Sequence, residues 1–190
     1  AMTQVIEGQV QEFTLQAAPE EPAHLAPSLQ AWTKMASAKT GALFGAAFRV
    51  GFAAGSDDAA RADEVAAQGQ RLGWAFQVQD DLLDLVGDKG RDRRATDLAE
   101  GKLSFPAVWA LEHAPAQASA RLGAILREPR ETTTDTMLDE GLELLEGCGA
   151  IAAAIAELMT ARDDYAASPC AEWMPDLMTV VLRPVAHVLG

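Results

Sequence analysis

Apolar positions along this chain recur mostly at intervals of three and four, the repeat of one face of an α-helix. Residues 4–16, with Val5, Phe13 and Leu15 among their apolar positions, predict a first helix. Pro19, Pro22 and Pro27 exclude regular helix and predict an acidic loop over 17–27. Ser28 is placed to cap a short segment through Trp32. A long helix is predicted over 33–54. Its run Gly41-Ala42-Leu43-Phe44-Gly45-Ala46-Ala47-Phe48 is rich in small residues that suit close contact with another helix, in this chain or a second one. Gly55 ends it, and Ser56-Asp57-Asp58 caps the next helix near 58–87. Gly87 through Thr96 reads as a charged, glycine-containing loop. Further helical patterns occupy 103–113, 117–127, 134–147, 149–166 and 176–189, separated by Pro115, Pro129, Gly147 to Gly149 and Pro169. Pro184 falls inside the last and is expected to kink or shorten it. Period-two runs of β-branched residues are nearly absent. The pattern predicts one all-α domain over 1–190, a bundle of roughly seven to nine helices.

The helix near 58–87 breaks its apolar run with Phe76-Gln77-Val78-Gln79-Asp80-Asp81-Leu82-Leu83-Asp84. A helix turns about 100° per residue, so Asp80 and Asp84 lie roughly 40° apart, with Asp81 beside them. Gln77 sits one turn before Asp80 on that side. Phe76, Val78, Leu82, Leu83, Leu85 and Val86 cover the rest of the circumference, which predicts burial. Like charges at this spacing repel, and burial makes that worse. A cation must compensate, or the face is open to water. A hard divalent ion is the economical answer, because Mg²⁺ is typically held by one or two carboxylates with waters and phosphate oxygens. The bland alternative is a solvated acidic stripe.

Composition narrows the classes. The 190 residues are 49% hydrophobic with a formal net charge of -13, a globular and acidic composition. That argues against nucleic acid as the main partner. It leaves open a small phosphate-bearing substrate, because metal ions invert the local sign. Cys148 and Cys170 fit neither a zinc spacing nor a disulfide framework, and both read as buried or half-buried. No charge-free run of 18 apolar residues and no secretory signal is found, so the expectation is a cytoplasmic protein without a membrane span.

Three further pieces carry chemistry. Lys39-Thr40 lies in the first half of the long helix. The loop from Gly87 to Thr96 holds Lys89, Arg91, Arg93 and Arg94. Asp97-Leu98-Ala99-Glu100-Gly101-Lys102 sets an acid and a lysine five residues apart, just before a helix. Carboxylates for Mg²⁺, Mg²⁺ for a diphosphate, and lysines and arginines for the remaining oxygens form one consistent set.

In this combination the sequence resembles the trans-isoprenyl diphosphate synthases, or polyprenyl synthetases. Phe76-Gln77 and Asp80-Asp81-Leu82-Leu83-Asp84 resemble that family's second aspartate-rich motif. Asp97-Leu98 through Glu100-Gly101-Lys102 resembles the segment after it. Lys39-Thr40 and Gly8-Gln9 resemble its Lys-Thr and Gly-Gln pairs, in the family's order over residues 8 to 106. The resemblance implies an isoprenoid-synthase-type helical bundle, here lacking its N-terminal helices. It implies a prenyltransferase that condenses isopentenyl diphosphate with an allylic diphosphate into a longer trans-prenyl diphosphate. Asp80 would be the direct magnesium ligand, supported by Asp81 and Asp84. Lys39 and Lys102 would contact the allylic diphosphate. Thr40 and Gln77 would face the reacting carbons. Gln9, Phe76 and Asp97 would support the site.

The departures are specific. Glu12 stands where the family usually has aspartate, keeping the charge but moving the carboxylate outward. Arg91-Asp92-Arg93-Arg94 stands where a Gly-Lys is usual, so Arg91 or Arg93 would replace the lysine with a fork-shaped donor. The family's first aspartate-rich motif lies on an earlier helix not found here, so this chain is expected to hold one wall of the site. It would then be part of a synthase that works as a homodimer, or a subunit whose partner supplies the first motif. A non-catalytic subunit tuning a complete synthase is the alternative. The Asn/Ser/Glu triad of terpene cyclases is missing, and a plain helical interaction module leaves the acids and lysines unexplained.

Overall fold

The computed structural model describes residues 1–15, 28–86 and 95–189. The predicted loop over 17–27 and residues 87–94 of the loop predicted from Gly87 to Thr96, with Arg91 and Arg93, lie outside the described residues, while Thr96 begins a short helix instead. Helices are α1 (Met2–Thr14), α2 (Leu29–Ala36), α3 (Ala42–Ala53), α4 (Ala59–Val86), α5 (Thr96–Ala99), α6 (Phe105–His113), α7 (Ala116–Arg127), α8 (Asp135–Gly147), α9 (Ala150–Ala166), α10 (Cys170–Trp173), α11 (Leu177–Leu182) and α12 (Ala186–Leu189). No strand occurs among the described residues. No single helix among them is long and apolar enough to cross a membrane. Cys148 is half-buried and Cys170 buried, both as free thiols.

Two sequence boundaries are corrected. The segment ending at Trp32 and the helix expected over 33–54 are one rod, because no glycine or proline separates them. Ser28 caps it, its Oγ accepting the Ala31 N–H at 3.1 Å. Within this rod, Ser37–Gly41 winds as a π-helical turn that the sequence did not announce. The stretch expected as 176–189 is divided by a 3₁₀ turn at Arg183–Val185, where Pro184 withholds an N–H. The short α10 was not anticipated.

Helix α4 is the central rod. Val78 and Leu82 are wholly buried, and α3 and α9 lie against it. Trp32 of α2, Trp74 of α4 and Phe105 of α6 meet edge to face, with ring centroids 5.2 to 6.3 Å apart. This aromatic knot sets the start of α6 against α4. The small-residue run on α3 finds its partner inside the chain. A Cβ on Gly73 of α4 would lie 2.8 Å from Gly41 Cα and 3.0 Å from the Thr40 carbonyl oxygen. On the other side of the same turn, a Cβ on Gly8 of α1 would lie 2.3 Å from the Lys39 nitrogen. The π turn is thus held backbone to backbone between two helices. Helix α1 reaches it with Gly8, Gln9 and Glu12, and turns Met2, Ile6, Val10 and Phe13 outward, each more than half exposed.

The fold predicts opposite signs for two alanines. Gly73→Ala forces α3 and α4 apart and should cost about 2 kcal/mol. Gly51→Ala, in α3 with nothing within 4 Å of its Cβ, should add roughly 0.5–1 kcal/mol by helix propensity. Urea unfolding of both variants checks this, and equal effects would contradict the close crossing.

Candidate active site

The acids of α4 divide by depth. Asp81 and Asp84 are buried, while Asp80, one residue round the helix, is half-buried. Depth is set by what arrives from residues 95–105. Asp81 Oδ2 accepts the Phe105 N–H at 2.7 Å, an N–H of the first turn of α6 that no intrahelical carbonyl can satisfy. Its Oδ1 accepts a hydrogen bond from Gln77 Nε2 at 3.1 Å. Asp84 accepts from Thr96 Oγ1 at 2.6 Å and from the Asp97 N–H at 2.9 Å. Ala95, at φ 56 in the left-handed region, makes the bend that aims Thr96 and Asp97 at Asp84, and its N–H donates to the Asp84 carbonyl.

Lys102 supplies the positive charge the acidic run needs. Its Nζ donates to Asp97 at 3.0 Å and lies 3.6 Å from Asp81. Burial pushes the Lys102 ammonium down, yet Asp81 and Asp97 together hold it above the usual lysine range. Burial raises the Asp81 carboxyl to about 6, against the pull of Lys102 and the Phe105 N–H.

A second arm joins this one. Thr40 Oγ1 donates to Gln77 Oε1 at 3.0 Å. Gln77 therefore accepts from the π turn and donates to Asp81, linking that turn to the acidic motif. The sequence set Gln77 beside Asp80, and its amide instead goes to Asp81. Lys39, on the same turn, donates to both oxygens of Glu12 at 2.7 and 2.6 Å, and Gln9 Nε2 donates to Glu12 at 2.7 Å. Phe76 departs from the burial expected of it. It is 40% exposed, with its ring 5.6 Å from Phe44.

The structure thus gathers Gln9, Glu12, Lys39, Thr40, Gln77, Asp81, Asp84, Asp97 and Lys102 into a chain of contacts, with Asp80 on the adjoining face of α4. Sequence reading missed Thr96 and the Phe105 N–H. Neither carries a local signal, since their partners lie 12 and 24 residues away. Among the described residues no group of three His, Cys, Asp or Glu is arranged to hold a metal ion by itself. An ion here would take one or two carboxylates from this chain and complete its shell elsewhere, which fits the habit of Mg²⁺.

Residues 1–145 match the family described as Polyprenyl synthetase. The chain is 30% identical over 176 residues to the geranylgeranyl diphosphate synthase of Mycobacterium tuberculosis, covering 91% of this chain and 48% of that one. It is 36% identical over 110 residues to the farnesyl diphosphate synthase of Escherichia coli, covering 56% and 37%. The crystal structure of geranylgeranyl pyrophosphate synthase from Corynebacterium glutamicum, complexed with calcium and isoprenyl diphosphate, superposes with a TM-score of 0.74 at 26% identity, over 95% of this chain and 56% of that one. The chain spans less than half the length of these two curated relatives.

The buried carboxyl gives a pH signature. Between the ordinary value of 3.8 and about 6 the folded chain keeps the Asp81 proton and the unfolded chain loses it. The contribution of Asp81 to stability therefore falls as pH rises through this window and is flat above it, a change of about 3 kcal/mol. Asp81→Asn removes the dependence. Unfolding in chelator-containing buffer should show the variant gaining on the parent from pH 4 to 6.5. A constant difference would mean that Lys102 and α6 fully compensate the anion.

Proposed function

The chain belongs to the polyprenyl synthetase family, and from that premise we propose that it forms one wall of the active site of a trans-prenyl diphosphate synthase. The reaction joins isopentenyl diphosphate to an allylic diphosphate. The allylic carbon–oxygen bond ionises, diphosphate leaves, the isopentenyl double bond attacks the allylic cation, and a proton is lost. The observation that carries this reading is the Thr40–Gln77–Asp81–Lys102 chain, which couples a lysine-bearing turn to an acidic helix.

Each residue's part follows from its contacts. The Thr40 hydroxyl hydrogen is committed to Gln77, so the oxygen lone pairs are left to face developing positive charge. Lys39 and Lys102 are the cations of this wall toward diphosphate oxygens, and Lys102 stays protonated because two aspartates hold it. Asp97 orients Lys102. Asp81 and Asp84, spent on backbone and side-chain donors, hold the acidic helix against residues 95–105. Asp80, Asp81 and Asp84 fit Mg²⁺, with Asp80 the direct ligand and the other two behind it. The ion would supply charge neutralisation of the departing diphosphate. Arg91 and Arg93 would add further donors. The outward apolar stripe of α1 supports a partner, either a second copy or a subunit bearing the first aspartate-rich motif.

Incorporation of isopentenyl diphosphate, with Mg²⁺ and allylic diphosphates of increasing length, tests the proposal in the assembled enzyme. Asp80→Ala should lower turnover by about a thousandfold or more. Full activity in that variant would remove Asp80 as metal ligand. The non-catalytic alternative predicts instead that adding the chain to a complete synthase shifts product length while Asp80→Ala changes nothing.

A further inference from the structure

Lys39 is offered two kinds of anion. The diphosphate is one, on the reading above. The other is Glu12, one turn of α1 away from Gly8. Because Gly8 has no Cβ, α1 rests directly on the backbone at Lys39, and Glu12 arrives with both oxygens within 2.7 Å of Nζ. That occupies two of the ammonium's three N–H groups. Gln9 steadies the carboxylate from the same helix. The pair is sheltered, Glu12 at 13% and Lys39 at 26% side-chain exposure, so its attraction is less screened than that of a surface pair. The Glu12 charge also reaches Lys102. One carboxylate therefore bears on both lysines of this wall.

We propose that Glu12 is a positioning residue that competes with the diphosphate for Lys39 and so sets how tightly substrate and product are held. The proposal rests on the reading of Lys39 as a diphosphate contact. An arriving diphosphate oxygen takes over N–H groups that Glu12 holds, and Gln9 keeps the freed carboxylate close enough to reclaim them. The exchange weakens diphosphate binding and favours release. A glutamate suits this better than an aspartate, because its extra methylene lets both oxygens reach Nζ.

Calorimetric binding of inorganic pyrophosphate with Mg²⁺ to the chain tests it, using Glu12→Gln, Glu12→Asp, Lys39→Ala and the Glu12→Gln/Lys39→Ala double variant. Glu12→Gln should tighten binding about 5- to 20-fold, and Glu12→Asp by a smaller factor. The gain should vanish in the double variant, a dependence that a merely structural role lacks. In prenyl transfer, Glu12→Gln should lower KM for the allylic diphosphate. Unchanged or weaker pyrophosphate binding in both Glu12 variants, with Lys39→Ala weakening it, overturns the competition and leaves Lys39 as a diphosphate contact. No effect of Lys39→Ala overturns both. Should Glu12→Gln fail to fold, Glu12→Asp carries the same comparison.

Discussion

Three helices touch at one turn of backbone, and the site depends on that contact. Side chains ordinarily hold helix axes 8–10 Å apart. At Lys39 to Gly41 the spacing is set by the backbone itself, because Gly8 approaches from α1 and Gly73 from α4. Closeness here is what short polar side chains need in order to meet. Thr40 reaches Gln77 directly, and Glu12 reaches Lys39 directly. With an extra methyl in either crossing these contacts would open by about an ångström or more, enough to turn a hydrogen bond into a water-filled gap. The π turn belongs to the same constraint. Its wider winding presents Lys39 and Thr40 side by side, one toward α1 and one toward α4.

The second requirement is to bury two carboxylates. Neutralisation comes from N–H groups left over at the starts of α5 and α6, from two side-chain donors, and from Lys102. Apart from Gln77 of α4 itself, these donors lie in 95–105, so this segment and the acidic helix stabilise one another's shape. The strained backbone at Ala95, a cost on the order of 1–2 kcal/mol, persists because the bend it makes delivers two donors to Asp84 at once. The edge-to-face knot of Trp32, Trp74 and Phe105 keeps the Phe105 N–H where Asp81 can use it.

Much of this was legible in sequence, and what was not shares a physical reason. The longer helices and most of their boundaries follow from periodicity and from caps such as Ser28 and Asp58, which are local signals, whereas the short α5, α10 and α12 raise the number beyond the seven to nine expected. The acidic run announced itself by spacing alone. Lys39, Thr40 and Lys102 became legible only through family resemblance, since a lone lysine or threonine on a helix says nothing. Hidden altogether were the π turn, the greater depth of Asp81 relative to Asp80, and the bonds from Thr96 and Phe105. Spacing on one helix ranks Asp80 and Asp84 as neighbours. Which acid goes under is decided by where α6 begins, 24 residues later. Phe76 shows the converse, an apolar residue in an apolar run that the fold leaves partly uncovered.

The division of labour among the three aspartates follows from burial. A carboxylate that already accepts two good hydrogen bonds and lies beside an ammonium gains little from a metal, because it would have to exchange bonds it has for bonds of similar strength. Asp81 is of this kind, and Asp84 likewise accepts two hydrogen bonds. Their charge still acts through space, lowering the potential along the face on which Asp80 sits. Asp80 is the acid with solvent access, where a hydrated hard cation can approach without stripping all its waters, which Mg²⁺ resists. On the proposed reading, a motif that looks like three equivalent ligands would divide into one contact group and two that fix and charge the surface behind it. The lysines complete the balance. Lys102 is tied to the buried acids, whereas Lys39 is held by Glu12, the charged partner it has among the described residues, on a separate helix. The two cations differ in how readily they can be recruited by an anion, and that difference is set by which helix carries the counter-charge.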